Sequence, residues 1–205
     1  MVKKGETWNE SEVYRDPWTL REVRRVTTAG LYNQTPTYHT HTGFTEDGEF
    51  LIFASARNGQ SVILRCHVPT GDITPLIEPV DGVGGHSEQH SASGSALGDG
   101  RGVNGNMSVA PRSRWAVFMA GRALRAVHLE TLQERTLIAD IGPEWMAGHM
   151  SIDPQEQSVI LPIKSAHPEI AASQRPTRSY MEHFADGSIK LRLLQVPLAG
   201  GRVAT

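Results

Sequence analysis

The sequence predicts an all-β fold assembled from blade-like sheets of a β-propeller, and three observations lead to this prediction. The 205 residues include 12 prolines and 20 glycines that separate short apolar runs. None of these runs keeps the roughly 3.6-residue period of a helix over the length that a stable helix needs. A pattern of turn, strand, hairpin turn, strand, turn and strand occurs three times. The second and third copies start 43 residues apart, close to the roughly 40–50 residues of one propeller blade.

The repeat divides the chain into about three four-stranded units within a single partial propeller domain. The units are predicted at residues 44–78, 107–140 and 150–205, and two insertions, residues 82–106 and 164–187, interrupt them. The first insertion is rich in Gly, Ser and His and is predicted to be a loop. One small sheet cannot cover both of its faces, so each unit must pack on its neighbours. Within the units, strands are predicted at 49–54, 61–68, 73–77, 115–119, 124–129, 136–138, 158–163 and 189–198.

The segments outside the units are consistent with part of a larger ring. Residues 14–27 are predicted to form a hairpin that belongs to an earlier blade or closes the ring. The sequence stops at residues 202–205, just after a turn where another strand should begin. We therefore expect a truncated chain, a partial gene product, or an open stack that needs missing blades or a partner chain. Side chains predicted to be packed in the core are Phe44, Phe53, Cys66, Trp115 and Phe118.

Composition restricts the partners of this chain. Hydrophobic residues make up 39% and charged residues 20%, which is typical of a globular protein. The net charge of -2 gives no electrostatic reason to expect a nucleic acid or an anionic membrane as partner. Two lysines near the start are not followed by an apolar segment, and no stretch of about 18 apolar residues exists. These features predict a cytoplasmic protein.

Three histidines are the main candidates for chemistry. His39 and His41 are two residues apart, so in an extended segment both imidazoles lie on one side, with Cα atoms about 7 Å apart. Such a pair can share one divalent ion such as Mn, Fe or Zn, although two polar histidines can also simply line a strand. His149 stands directly before the third unit, as residues 104–106 stand before the second. Segments leading into innermost propeller strands converge, so His149 could join the same site or remain a structural histidine.

These segments resemble oligogalacturonate lyases. Residues 39–53 are similar to the His-Pro-His-Pro-Ser-Phe-Thr-Pro-Asp segment of that family. Residues 130–145 look like its strand-turn and Pro-x-Glu-Trp pattern, and residues 148–151 resemble one of its histidine-bearing blade starts. In the family the His-x-His blade is the last one, whereas here the matching residues lie near the N-terminus. The resemblance implies a seven-bladed propeller with a divalent metal ion, manganese foremost. Its ligands would be Gln34, His39, His41 and His149.

The same resemblance implies a reaction, β-elimination on short uronate-containing oligosaccharides. A metal or cationic group neutralises the uronate carboxylate, a base removes the C5 proton, and the 4-O-glycosidic bond breaks. Arg178 and Tyr180 are weak candidates for binding the carboxylate and donating a proton, or they belong to an ordinary solvated loop. The family's base is a histidine at a blade start where this chain has Asn104, so the base is not identified. The alternative function is a non-catalytic propeller segment that binds a protein or a glycan.

Overall fold

A computed structural model of the chain describes residues 2–34, 42–82, 103–165, 182 and 185–205, without the side chains of residues 103–106. Glu182 and Ala185 lie in a helical turn, in which the Asp186 amide donates to the Glu182 carbonyl at 3.1 Å. In the part of the chain that the structure describes, no helix is long and apolar enough to span a membrane. The described strands are β1 (Trp8–Asn9), β2 (Glu12–Arg15), β3 (Glu22–Arg25), β4 (Tyr32–Gln34), β5 (Phe50–Arg57), β6 (Gln60–His67), β7 (Asp72–Pro75), β8 (Val80–Asp81), β9 (Val103–Ala110), β10 (Trp115–Ala120), β11 (Ala123–His128), β12 (Glu134–Ile138), β13 (Trp145–Ala147), β14 (Ser151–Ile152), β15 (Ser158–Ser165) and β16 (Leu191–Pro197).

The strands form three larger antiparallel sheets and one separate hairpin. Sheet one has six strands in the order β1-β7-β6-β5-β4, with β8 also paired to β6. Sheet two has the order β12-β11-β10-β9. In sheet three, β13 and β14 pair with one side of β15, and β16 pairs with its other side. Strands β2 and β3 pair only with each other among the described strands. The predicted all-β architecture is therefore confirmed.

Sheet two lies between the other two sheets because it is apolar on both faces. On β10, Ala116 and Phe118 pack into the core shared with sheet one. The alternate residues Trp115, Val117 and Met119 pack into the core shared with sheet three. Successive side chains of a strand point to opposite faces, so this run supplies both interfaces. Each interface is a sheet-on-sheet contact.

Polar contacts at the β9–β10 turn hold sheet two against sheet one. The Arg114 guanidinium forms ion pairs with Asp47 and, at 3.2 Å, with Glu49, both next to sheet one. Its other nitrogen pairs with Glu130 of its own sheet. The guanidinium carbon also lies 5.7 Å from the centroid of the Phe50 ring. Arg114 therefore links the turns of two sheets at one end of the stack.

The same turn is also linked to sheet three. The Glu156 carboxylate accepts hydrogen bonds from the backbone amides of Arg112 at 3.0 Å and Ser113 at 2.6 Å. Burial alone would raise the pKa of Glu156, but these hydrogen bonds outweigh it and the pKa is lowered. The Arg135 guanidinium adds a hydrogen bond to the Leu198 carbonyl at 3.3 Å. Ionised Glu156 thus stabilises the contact between sheets two and three.

The N-terminal segment is fixed to sheet one by Glu10. Its carboxylate accepts hydrogen bonds from Arg57 Nη1 and from the Trp8 indole nitrogen, both at 3.0 Å. Thr27 donates a further hydrogen bond to it. The bonds from Arg57 are the largest effect, and despite burial the pKa of Glu10 falls from its ordinary 4.5 to about 2. Glu10 therefore remains ionised across the neutral range and ties the chain before β2 to the chain after β3.

We expect Glu10→Gln to remove a pH-dependent part of the stability. A carboxyl with a depressed folded pKa stabilises the fold above its unfolded pKa, and this contribution is lost as the pH falls through the folded value. For Glu10 the loss extends from pH 4.5 down to about 2. Urea denaturation at pH 7 should show the variant less stable by about 2 to 3 kcal/mol, with the difference shrinking at pH 3.

Glu12→Gln is the matched control for this experiment. Glu12 pairs with Arg25, but both side chains are more than half exposed, at 58% and 54%. Exposed ion pairs contribute about 0 to 1 kcal/mol, so this variant should behave almost as the parent does. An equal loss in both variants would contradict the role given to Glu10.

The central strands of the repeat follow the sequence prediction. The strands predicted at 61–68, 115–119 and 158–163 are β6, β10 and β15, with bounds that agree to within two residues. The predicted hairpin at 14–27 is β2–β3. Cys66 is fully buried at 0% exposure. The predicted core residues Phe53, Trp115 and Phe118 are also buried.

Three predictions about local structure are wrong. Residues 164–165, predicted as the start of the second insertion, belong to β15. Phe44 is 41% exposed, because Gly43 and Thr45 on either side of it are buried and alternation turns its ring outward. Residues 103–106, predicted as the end of a loop insertion, belong to β9. Glycine and asparagine in that stretch indicate a turn, but pairing of Val103 with Ala120 extends the strand across it.

Candidate functional site

The innermost strand of each sheet is the element that positions the candidate site. These strands are β4 in sheet one, β9 in sheet two, and β13 with β14 in sheet three. Strand β9 contacts β5 and β6 of sheet one and β14 of sheet three. The packing therefore places the edge strand β9 of sheet two against sheet one and against the inner strand β14 of sheet three.

Each innermost strand is interrupted partway along its length. In sheet two, residues 104–106 lie opposite Met119 alone, since Val103 pairs with Ala120 and Met107 pairs with Phe118. In sheet three, residues 148–150 lie opposite two residues of β15, between the pairs Ala147–Ile163 and Ser151–Ile160. Such bulges bend a strand and redirect side chains, and they are frequent beside functional sites.

The interruption in sheet one is the longest. Gln34 pairs with Ala54, and Phe44 forms a bridge with Leu51. Residues 35–43 therefore separate two pairs whose partners on β5 have only two residues, Ile52 and Phe53, between them. His39 and His41 belong to this stretch. Residues 35–41 lie outside the described part of the chain, so their predicted spacing remains a prediction.

Gln34 lies on the face of sheet one that packs toward sheet two. It is half-buried and paired with Ala54, which shares a face with Ile52. Ile52 pairs with Arg65, and the Arg65 guanidinium donates to the Leu129 carbonyl of sheet two. The amide of Gln34 is therefore directed toward the neighbouring sheet.

His149 lies in the interruption of sheet three, between β13 and β14, and is half-buried. It lies in the interruption of sheet three as residues 104–106 lie in the interruption of sheet two, as the repeat predicts. Within the described ranges, no group of three or more His, Cys, Asp or Glu side chains is close enough to hold a metal ion. The proposed ligand set therefore depends on His39 and His41. Arg178 and Tyr180 also lie outside the described residues.

Lys164 is a residue that sequence reasoning missed. It is only 4% exposed and stands opposite Met146 of the inner strand β13. Lysine is almost never fully buried unless it is paired, so this position marks a polar environment close to the inner edge of sheet three. The available signal was that Lys164 directly follows the apolar run 158–163, but the sequence predicts it as the first residue of the insertion 164–187.

Ser108 is a second residue that sequence reasoning missed. It is 1% exposed, and it is the one buried side chain of the described residues whose oxygen has no hydrogen-bond partner. Ser108 lies on β9 opposite Val117, facing sheet three. A buried hydroxyl without a partner costs about 1 to 3 kcal/mol of desolvation free energy.

Ser108→Ala is therefore expected to raise the free energy of unfolding by about 1 kcal/mol, because it removes the uncompensated hydroxyl with little change in volume. The matched control is Ser55→Ala. Ser55 is equally buried, but its hydroxyl accepts a hydrogen bond from Arg57 at 2.9 Å, so its loss should destabilise the fold. Urea denaturation of both variants checks this, and destabilisation by Ser108→Ala would show that the hydroxyl has a partner, such as a buried water.

Comparison with known proteins gives matches in structure. No protein-family model and no curated protein matches the sequence. An oligogalacturonate lyase from Vibrio parahaemolyticus matches with a TM-score of 0.68 at 20% identity, over 98% of this chain and 48% of that chain. An oligogalacturonate lyase in complex with manganese matches with a TM-score of 0.68 at 21% identity, over 99% and 48%. A candidate TolB protein from Agrobacterium tumefaciens matches with a TM-score of 0.51 at 11% identity, over 100% and 67%.

These matches establish the architectural class, an all-β fold of consecutive propeller-type sheets. Within that class, the structure is similar to oligogalacturonate lyases, the family that the His-x-His segment and the blade starts resemble. At about one-fifth identity the similarity concerns the fold. The chain spans about half the length of the two lyase structures.

Proposed function

We propose that this chain is part of a metal-assisted lyase that cleaves short uronate-containing oligosaccharides by β-elimination. The observation that carries the proposal is the superposition of 98 to 99% of the chain on two oligogalacturonate lyases. The recurring interruption of the innermost strands supports it, because the interruptions carry or adjoin the residues that the family resemblance selects. The whole activity belongs to a propeller about twice as long, for which we propose seven blades.

The residues proposed to hold a divalent ion are Gln34, His39, His41 and His149. Two of them can be located, and both are half-buried: Gln34 on β4 of sheet one, and His149 in the interruption between β13 and β14 of sheet three. An amide oxygen and imidazole nitrogens form a mixed donor set that first-row divalent metals accept. The structurally similar lyase was solved with manganese, so manganese is the ion we propose. When bound, such an ion supplies Lewis-acid stabilisation of negative charge on the uronate carboxylate.

Carboxylate binding and proton donation to the leaving group are assigned to side chains of this chain. We propose that Arg178 binds the uronate carboxylate and that Tyr180 donates a proton to the departing 4-oxygen. A general base near neutrality is required for the C5 proton, and the equivalent of the family's histidine is Asn104, whose amide cannot serve. The base is therefore proposed to come from another part of the propeller.

Metal analysis combined with an elimination assay tests the proposal. The purified protein should contain stoichiometric divalent metal after dialysis, and oligogalacturonate should produce the ultraviolet absorbance of an unsaturated uronate. Metal without turnover would limit this chain to the metal-binding half of a lyase. Absence of both would favour the alternative, a non-catalytic propeller segment that binds a protein or a glycan.

A further inference from the structure

Arg192 of β16 is stacked on the indole ring of Trp145. Its guanidinium carbon lies 4.5 Å from the ring centroid. Trp145 is buried at 9% exposure, whereas Arg192 is exposed. A guanidinium that lies on an aromatic face is held in one plane, and the N–H groups at its edge remain available for hydrogen bonds. The stack therefore presents an oriented cation to the solvent.

Arg192 differs from the other stacked arginines in its hydrogen bonding. Five further arginines in the described part of the chain lie over an aromatic ring, and each also donates to a carboxylate or carbonyl oxygen: Arg57, Arg65, Arg114, Arg125 and Arg135. Within the described ranges, no oxygen forms an ion pair or a hydrogen bond with the Arg192 guanidinium. Arginine donors in a fixed plane are suited to a ligand carboxylate, which they bind through two parallel hydrogen bonds.

The register of sheet three places this guanidinium near the innermost strand. Arg192 pairs with Ile163 of β15, and Ile163 pairs with Ala147 of β13. Because Ile163 and Trp145 are both buried against sheet two, Arg192 is on the same face. Trp145 and Arg192 belong to strands on opposite sides of β15, so their side chains meet over that strand. The guanidinium therefore lies beside the start of the inner strand that leads to His149.

Arg192 and His149 are close enough to contact one oligosaccharide. Arg192 and Ala147 are two strand spacings apart, which is about 10 Å between their Cα atoms. His149 follows Ala147 by two residues. Every unit of a polyuronate carries a carboxylate, so a chain with one unit at His149 can bring the carboxylate of another unit to Arg192.

The charge and the backbone beside Arg192 favour an anionic ligand. Lys190 is exposed and precedes Arg192 by two residues, so alternation places it on the same face. The Lys190 carbonyl accepts a hydrogen bond from the Ser165 amide, and the Lys190 amide donates to the Ser165 hydroxyl, both at 2.8 Å. These bonds fix the chain directly before β16. Glu144 precedes Trp145 but forms no ion pair with Arg192, so the cation is not neutralised.

We propose that Arg192, held on Trp145, binds the carboxylate of a uronate unit adjacent to the unit that is cleaved. The inference rests on the proposed function for the class of substrate. It adds a second carboxylate contact to the one proposed for Arg178. A methyl ester carries no negative charge, so this contact selects for uronate chains that are not esterified at that unit. Arg192 is thus a specificity-determining residue and takes no part in the elimination itself.

Binding without turnover tests the proposal. A chelator removes the metal, so that metal-assisted elimination does not occur, and calorimetry measures the affinity of the full chain for trigalacturonate and for its methyl ester. We expect Arg192→Gln to weaken binding of trigalacturonate at least about tenfold and to leave binding of the ester nearly unchanged. Arg192→Lys should give an intermediate loss, because it keeps the charge but not the planar pair of donors.

Arg202→Gln is the matched control, since it removes the same charge from another exposed arginine, beyond the last residue of β16. It should bind both ligands as the parent does, and circular dichroism of each variant verifies that the sheets are intact. The proposal is overturned if the parent does not bind trigalacturonate, or if Arg192→Gln binds it as tightly as the parent. An equal loss for the acid and the ester overturns it as well.

These outcomes are independent of the lyase assay. A protein that distinguishes the two ligands through Arg192, but has neither metal nor turnover, retains the carboxylate contact and loses the proposed function. A metal-dependent lyase whose affinity does not depend on Arg192 keeps the function and loses only this contact.

Discussion

Replacement of both His39 and His41 by alanine is expected to remove the bound divalent metal and to lower the elimination rate at least about 100-fold. The two imidazoles are the largest part of the proposed ligand set, and the described residues alone do not form a metal-binding group. Without the ion, the uronate carboxylate keeps its charge, and the C5 proton is not acidified. The measurement is metal content after dialysis, together with the ultraviolet absorbance of the product.

The control for this prediction is His67→Ala. His67 is the last residue of β6, away from the innermost strands, and its Nδ1 lies 2.8 Å from the Thr70 hydroxyl. We expect its removal to leave both metal content and rate unchanged. If the double variant retains its metal, the ligand assignment is wrong. If it loses metal but not activity, the ion has no part in the elimination.

Phe118→Ala is expected to lower the free energy of unfolding by about 3 to 5 kcal/mol. Phe118 is fully buried at 0% exposure in the core between sheets one and two. Truncation removes its transfer free energy and leaves a cavity that two stiff sheets cannot fill by relaxing. Because a domain has about 5 to 15 kcal/mol of stability in total, the variant should be close to unfolding. Urea denaturation followed by tryptophan fluorescence measures the loss.

Phe44→Ala is the matched control, since it deletes the same atoms from a ring that is 41% exposed. We expect a loss below about 1 kcal/mol, because little apolar surface returns to water. Comparable losses in the two variants would contradict the assignment of Phe118 to the interface between the sheets.

The central strands of each repeat could be predicted because they combine apolar alternation with turn residues at both ends. In β5 and β6, for example, the turn Asn58–Gly59 separates two such runs, and the structure joins them as a hairpin. Burial of Cys66 followed from the same alternation.

The innermost strands could not be predicted so well, because their pairing is broken. Strands β4, β13 and β14 are only two or three residues long, too short to show a period. After its first residue, strand β9 contains Asn and Gly residues, which favour turns in isolation, and pairing with β10 overrides that preference. Phenylalanine is a residue type typical of protein cores, but the side to which the Phe44 ring points depends on how its segment pairs with β5.

In the candidate site, His149 was predicted through equivalence between repeats, whereas His39 and His41 were predicted from their spacing and Gln34 from the family resemblance. The position of His149 before the third unit matched that of residues 104–106 before the second, and the structure places both in interruptions of inner strands. Lys164 and Ser108 carry no such pattern. Their burial follows from contacts between residues far apart in sequence, which a linear reading does not contain.

Because the inner strands are interrupted, the number of residues in the segments that hold the proposed ligands does not determine the geometry of the sheets. The pairs on either side of an interruption stay in register whether one sheet accommodates three residues, as at 148–150, or nine, as at 35–43. Extra residues at this point are accommodated without displacing the outer strands. Segments of different length and chemistry could therefore be exchanged there by recombination or by protein engineering, and a common scaffold could acquire new ligand specificities while its packed interfaces stay the same.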